Sequence, residues 1–188
     1  MSGHVRSIRP TNVDEITTRL AVAADAVSLA ALAHRTFYET YVSDTDPRDM
    51  ATHLARSYSP AIQLAEINDP AMRTLLAVRD EIMLGYVQVR LNDPRHAEPT
   101  CVTGANPMEI WRFYVDRPWH GRGIAQRLMH EAIELAKSLG AKTIWLGVWE
   151  RNPRAIAFYR KCGFQHIGDH QFLFADQMQT DLVMMRNA

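Results

Sequence analysis

A single α/β domain around one central sheet is the fold class this sequence predicts, and three observations predict it. Alternating and continuous apolar runs mark several strands, and apolar residues at helical spacing lie between them. The patterns run strand, helices, a series of strands, then strand–helix–strand–helix–strand, as expected for helices covering one sheet. The 188 residues are 47% apolar and 22% charged, enough for one domain with a buried core.

The first strand is "ITTRLA", Ile16–Ala21; residues 1–14 before it show no pattern and are expected to be an extension, with the domain over 15–188. Next, "DAVSLAALAHRTFYETY" sets Val27, Leu29, Ala30, Leu32, Ala33 and Phe37 at helical spacing, with Asp25 placed to cap the first turn. "DPRDMATHLARSY" predicts a second helix with Asp46 as cap and Pro47 at its first position, and a third spans Pro60 to about Asn68. Thr74–Asp80 and Ile82–Leu91 read as strands joined by a tight turn near Asp80–Glu81, and the proline-bearing Asn92–Pro107 reads as a loop.

Met108–Val115 is a strong strand. Beyond a glycine turn, Leu128, Met129, Ala132, Ile133, Leu135, Ala136 and Leu139 trace one helix face, closed by Gly140. Lys142–Trp149 is nearly all apolar, as in a strand covered on both faces. "NPRAIAFYRKCGF" starts a helix with Asn152 as cap and Pro153 behind it, and stops it at Gly163. Strands follow at Phe164–Ile167 and Asp181–Met185, with a short one at Phe172–Phe174.

Bulk properties exclude several functions. Lys plus Arg equals Asp plus Glu at 21 each, so the chain lacks the basic excess of a nucleic-acid binder. It has no apolar run of membrane-spanning length, and "MSGHVRSIRPTNVDE" has no signal-like stretch; a cytoplasmic protein with no membrane partner is expected. Cys101 and Cys162 read as structural thiols in a reducing compartment. The eight histidines are scattered and no Cys/His pairing stands out, so no metal is expected.

The chemistry centres on "HGRGIAQRLMHEA", a glycine turn running into a helix, which aims free N–H groups at an anion. A nucleotide-triphosphate loop would need Lys-Ser or Lys-Thr after its last glycine, and none follows. A dinucleotide fingerprint would need a third glycine where Gln126 stands, although Glu150 could imitate its ribose-binding acid. The third design, the acetyl-CoA loop [QR]-x-x-G-x-[GA], fits Gly123 and Ala125 and departs from the pattern at His120.

Context selects the third design. From Glu109 to Phe164, "FYVD", "GRGIA", the long helix, "LGVWERN", "AIAFY" and "KCGF" follow in an order and spacing that resemble the core of the GCN5-related N-acetyltransferase (GNAT) superfamily. "RLAVAADAVSLAALAHRTF" looks like that family's first strand and helix. More narrowly, "TFYETY", "WLGVWERN" and "GDHQFLFADQMQTDLVM" resemble PaiA-type spermidine/spermine acetyltransferases.

The resemblance implies a mixed, mostly antiparallel sheet with one splayed parallel strand pair, helices on both faces, and acetyl-CoA as co-substrate. Phe113, Tyr114 and Val115 would line the pantetheine arm, with N–H and C=O groups of Phe113 and Val115 pairing to it as an added strand would. The diphosphate would sit on amides of Gly121, Arg122, Gly123, Ile124 and Ala125, where the helix dipole is positive. Arg122 adds a cation or is a solvated side chain, and His120 could donate to phosphate in a pH-dependent way. Asn152 would contact the cofactor while capping its helix.

Tyr159 takes the position of the acid that protonates departing thiolate; phenol at pKa ~10 against thiol at ~8.5 makes full transfer uphill by only about 2 kcal/mol. The amine must first lose a proton, which costs roughly 4 to 5 kcal/mol at pH 7 from a pKa of ~10.4. Glu109 is the candidate base, through water; as a plain strand-end charge it would pair with Arg112 or Lys142 instead. Neither cysteine occupies a nucleophile's place, so direct attack in a ternary complex is expected.

Substrate choice falls to "YETYVSDTDPRD", where Glu39, Asp44, Asp46 and Asp49 accompany Tyr38 and Tyr41. Carboxylates and aromatic faces suit a polycation, and the narrower resemblance favours a polyamine such as spermidine or spermine. A protein N-terminus or lysine, a small amine drug, a non-catalytic acyl-CoA sensor and a homodimer stay open at this point.

Overall fold

The structure is a computed structural model and describes residues 16–91, 98–174 and 177–188; the expected extension over 1–14 lies outside them. Among the described residues the strands are β1 (Thr17–Leu20), β2 (Met72–Arg79), β3 (Ile82–Leu91), β4 (Pro107–Val115), β5 (Thr143–Trp149), β6 (Gln165–Phe174) and β7 (Gln177–Asn187). They form one sheet in the order β1-β2-β3-β4-β5-β7-β6, antiparallel at each junction except the parallel β4–β5 pair.

The helices are α1 (Ala26–Tyr41), α2 (Pro47–Ser57), α3 (Pro60–Asn68), α4 (Ile124–Ser138) and α5 (Pro153–Lys161). Three starts follow one local rule, a polar cap followed by proline. The Asp46 carboxylate accepts from Arg48 N–H at 2.8 Å, Ser59 Oγ from Ile62 N–H at 3.3 Å, and Asn152 Oδ1 from Ala155 N–H at 3.1 Å. Each such cap contributes about 1 kcal/mol.

Asp25 departs from this rule. It closes a 3₁₀ turn, Ala23–Asp25, that feeds directly into α1, so its own backbone is helical and its side chain does not cap. Its carboxylate turns back to both terminal nitrogens of Arg19, at 2.7 Å each, and to Val22 N–H at 2.8 Å. The Arg19 guanidinium holds this carboxyl below its usual range.

Both faces of the sheet are covered. On one, Leu128, Met129, Ala132 and Ala136 of α4 and Ile156 of α5 bury against Val87, Ile110, Leu146 and Val148. On the other, Leu29, Leu32 and Phe37 of α1 and Met50 and Leu54 of α2 pack on Leu76 and Tyr86. The expected short strands near Phe164–Ile167 and Phe172–Phe174 are one continuous strand, β6, because pairing along β7 carries the chain through its polar middle.

The sheet opens at its centre. β4 meets β5 only where Pro107, Met108 and Glu109 face Thr143, Ile144 and Trp145. Past that point β4 stays with β3 and β5 stays with β7, so the two parallel strands diverge. The resulting wedge leaves two backbone edges without strand partners.

Candidate active site

Those edges determine what the wedge can bind. Asp116 N–H donates to Leu84 O at 2.8 Å, and antiparallel bonding alternates along the strand. The register of Phe113 with Val87 and of Val115 with Gly85 therefore turns their N–H and C=O groups away from β3, into the wedge. An extended chain carrying amides can pair there as an extra strand does.

At the mouth of the wedge, residues 120–123 make a turn ahead of α4. Gly121 and Gly123 have φ of 73° and 80°, in the left-handed region that disfavours side chains. Arg127 N–H donates to Gly123 O, so amides in the turn ahead of it have no intrahelical acceptor, and Gly123 supplies no side-chain cap. A Cβ placed on either glycine would meet nothing within 4 Å, which leaves the amides open to an incoming group. Ile124 contributes backbone alone, since its side chain is in the core. The donor set fits a diphosphate.

His120 is placed differently from expectation. Its Nε2–H donates to Val115 O at 2.7 Å, folding the ring back on the wedge edge instead of toward an anion. One carbonyl expected to serve the pantetheine arm is thus occupied by this chain's own side chain. Arg122 is exposed and lies over the Trp119 ring at 5.0 Å.

A cavity of about 700 Å³ runs through the wedge and joins the two faces of the sheet. Phe113, Tyr114, Val115, His120, Ala125, Asn152 and Tyr159 line it together. Tyr159 enters from the α5 face, with its ring edge-on to Phe113 at 6.3 Å, and burial pushes its phenol above the usual tyrosine range. From the α1 face come Tyr41, whose ring lies 5.7 Å from Trp149, and Phe37, stacked on His53 at 4.4 Å.

Glu109 is not among the lining residues. It sits on the last rung where β4 and β5 are still paired, before the wedge opens. Its partner is neither Arg112 nor Lys142 but Arg90, at 3.1 Å. Burial pushes the Glu109 carboxyl up to about 7, against the pull of Arg90. Arg112 points instead to Glu66 Oε2 at 2.6 Å and Gln88 Oε1 at 2.7 Å.

Of the acidic turn, Glu39 and Tyr41 reach the cavity, Asp46 is spent as a cap, and Asp44 accepts from Ser43 at 2.7 Å. A second carboxylate on the cavity, Asp181 of β7, was not singled out by sequence pattern. Burial pushes its carboxyl up to about 6. The signal that could have found it is an acid in a strand that otherwise reads apolar, Asp181–Met185. Cations Arg117 and Arg154 line the cavity as well, near the glycine turn and the start of α5. Among the described residues, no group of three or more His, Cys, Asp or Glu is placed to hold a metal.

The acetyltransferase (GNAT) family model matches residues 32–164, which is most of the described domain. The chain belongs to that family. Membership makes this GNAT protein an N-acetyltransferase with acetyl-CoA as donor. An uncharacterized N-acetyltransferase of Mycobacterium tuberculosis is 32% identical over 86% of this chain and 97% of its own length. The PaiA N-acetyltransferase of Thermoplasma acidophilum, solved with coenzyme A, has a TM-score of 0.73 at 21% identity, covering 92% of this GNAT chain and 99% of its own. A spermine/spermidine N(1)-acetyltransferase of Bacillus subtilis is 33% identical over a shorter match, 34% of this chain and 43% of its own.

Proposed function

We propose that this GNAT protein acetylates a primary amine of a polyamine such as spermidine, by direct attack on acetyl-CoA in a ternary complex. One observation carries the reading: a single cavity runs from His120 and Ala125, which flank the glycine turn, to carboxylates and aromatic faces on the α1 side. Amides of residues 121–125 hold the diphosphate, and Phe113 and Val115 pair with the pantetheine arm once His120 yields the Val115 carbonyl. Tyr114 and Asn152 wall the arm, and Arg122, Arg117 and Arg154 offer charge to phosphates at the loop end.

The acceptor enters from the α1 face. Tyr41, Phe37 and Trp149 present ring faces to an ammonium, and Glu39 supplies charge for a second amino group of a long polycation. Tyr159, on the opposite face, gives its hydroxyl proton to the departing sulfur. A phenol raised by burial stays protonated and serves as a hydrogen-bond donor before transfer is complete. The local likeness to the Bacillus enzyme supports a polyamine acceptor. Free Cys101 and Cys162 fit the cytoplasm, where thiols stay reduced.

The test is thiol release from acetyl-CoA across spermidine, spermine, diamines, N-terminal peptides and amino sugars. The reading expects the highest kcat/KM with a polyamine; preference for a peptide would assign a protein acceptor, and no release with any amine would leave a sensor. Tyr159→Phe should lower kcat by about two orders of magnitude, the loss typical of one acid. Unchanged turnover would remove Tyr159 from the chemistry.

A further inference from the structure

The amine reaches this cavity as an ammonium, and something must take its proton before attack. Glu109, the residue at the expected position, is spent on Arg90 below the opening of the wedge. Asp181 is placed differently. Its β7 backbone pairs with Trp149 of β5, and its carboxylate reaches diagonally across to Gly147, where a Cβ would come within 3.0 Å of Oδ2. Gly147 and Trp149 belong to the length of β5 that has left β4, so this carboxylate lies over bare backbone at the wedge.

Among the described residues no hydrogen bond or ion pair occupies the Asp181 carboxylate. The groups facing it are Tyr41 from α1, which feels its charge, Trp149 from β5, and His170 of β6, its register partner. Tyr159 and Arg154 of α5 and Glu39 of α1 share the cavity. Tyr159 packs in the core on the α4–α5 face, whereas Asp181 lies beside Tyr41 on the α1 side. The two bracket the thioester position from opposite faces of the sheet.

We propose that Asp181 is the catalytic base, binding the substrate ammonium and removing its proton as the amine attacks. The claim rests on the acetyl-transfer reading above but not on the polyamine being the acceptor. An N–H proton passes to the carboxylate, and the freed lone pair forms the C–N bond at the thioester carbon. The C–S bond breaks as the adduct collapses, and sulfur takes the Tyr159 hydroxyl proton. The second nitrogen proton returns to Tyr159 through water, and Asp181 releases its own to solvent. One amide, one thiol and one proton result from one ammonium and one thioester. Gly147 acts by omission, since a side chain there would push the carboxylate off the wedge.

The experiment is the pH dependence of kcat/KM for the best amine of the panel, from pH 5 to 10, in wild type, Asp181→Asn, Gly147→Ala and Glu109→Gln. Coenzyme A affinity, measured by calorimetry, reports that each variant is folded. Wild type should lose activity as the medium turns acid through the titration of one carboxyl. Asp181→Asn should fall at least hundredfold at pH 7.5 and recover about tenfold per pH unit as free amine accumulates, with coenzyme A affinity within threefold of wild type. Gly147→Ala should show a smaller loss of the same shape.

A loss in Asp181→Asn that does not recover with pH would reduce the residue to an anchor and overturn the proposal. So would wild-type activity in that variant, or an acid limb that vanishes in Glu109→Gln instead. If spermidine fails while another amine is turned over, the polyamine reading falls and Asp181 is judged on that amine. Failure of every amine overturns both.

Discussion

Asp181 shows how a single residue can be costly to the fold and useful to the reaction. Its carboxyl titrates near 6 where it is buried and near the ordinary aspartate value when the chain unfolds. Between those values the folded state holds the proton and the unfolded state does not, so stability falls as pH rises through the window and levels off above it. Asp181→Asn should therefore be more stable than wild type by about 3 kcal/mol at pH 8, with most of the difference gone near pH 4. Urea melts at the two pH values check this; a variant destabilised at pH 8 would mean the carboxylate has a stabilising partner.

At the same scale, local signals were legible and distant ones were not. Asp46, Asn152 and Gly163 act within four residues of their own positions, so the chain spells their roles. Glu109 and Arg112 do not. Their partners, Arg90 and Glu66, are 19 and 46 residues away and are chosen by strand register, which local patterning does not encode. His120 could be placed in the turn from sequence, but the direction of its ring could not.

Among the elements, β4 carries the most. Its first three residues close the sheet against β5, and its last residues form the wedge. Between them the half-buried Arg112 joins a polar network that ties α3 to the sheet. Glu66 Oε2 accepts from Arg112 at 2.6 Å, Gln63 at 2.9 Å and Gln88 at 3.1 Å, and Gln63 and Gln88 are fully buried. This network fixes the wall beside His53 and Tyr58, with the Arg112 guanidinium over the Tyr58 ring at 5.0 Å.

Glu66→Ala should cost about 3 kcal/mol in a urea melt, below the full loss of a completely buried pair, because it strands a half-buried cation. Glu66→Gln, which keeps an acceptor, should cost less. Equal and small losses would show that water takes the place of the carboxylate. Helical elements were readable because caps and apolar spacing are short-range; β6 was not, since its polar middle becomes strand only by pairing with β7.

Across the whole molecule, charge is divided about the wedge only in part, since Arg112 also lines the cavity, paired with Glu66 on the α1–α3 side. Arg117 and Arg154 line the cavity around the glycine turn and α5, and Glu39 and Asp181 line it from α1 and β7. Raising salt from 0.05 to 0.5 M should raise KM for spermidine severalfold and for a monoamine much less, since exposed charges are screened over about 10 Å at 0.1 M. Equal salt effects would place the distal amines outside the acidic end. The α/β class and element order were legible from periodicity alone. The splayed parallel pair came only through family resemblance and the strand order was not legible at all, because local patterns do not say which strands are neighbours.

The most direct test of the account is amide hydrogen exchange of the whole chain with and without coenzyme A. Slowed exchange confined to residues 121–126 and to the β4 edge at Phe113 and Val115 is the expected result. Protection elsewhere, with those amides unchanged in the presence of saturating coenzyme A, would contradict a diphosphate on the turn and a pantetheine arm in the wedge.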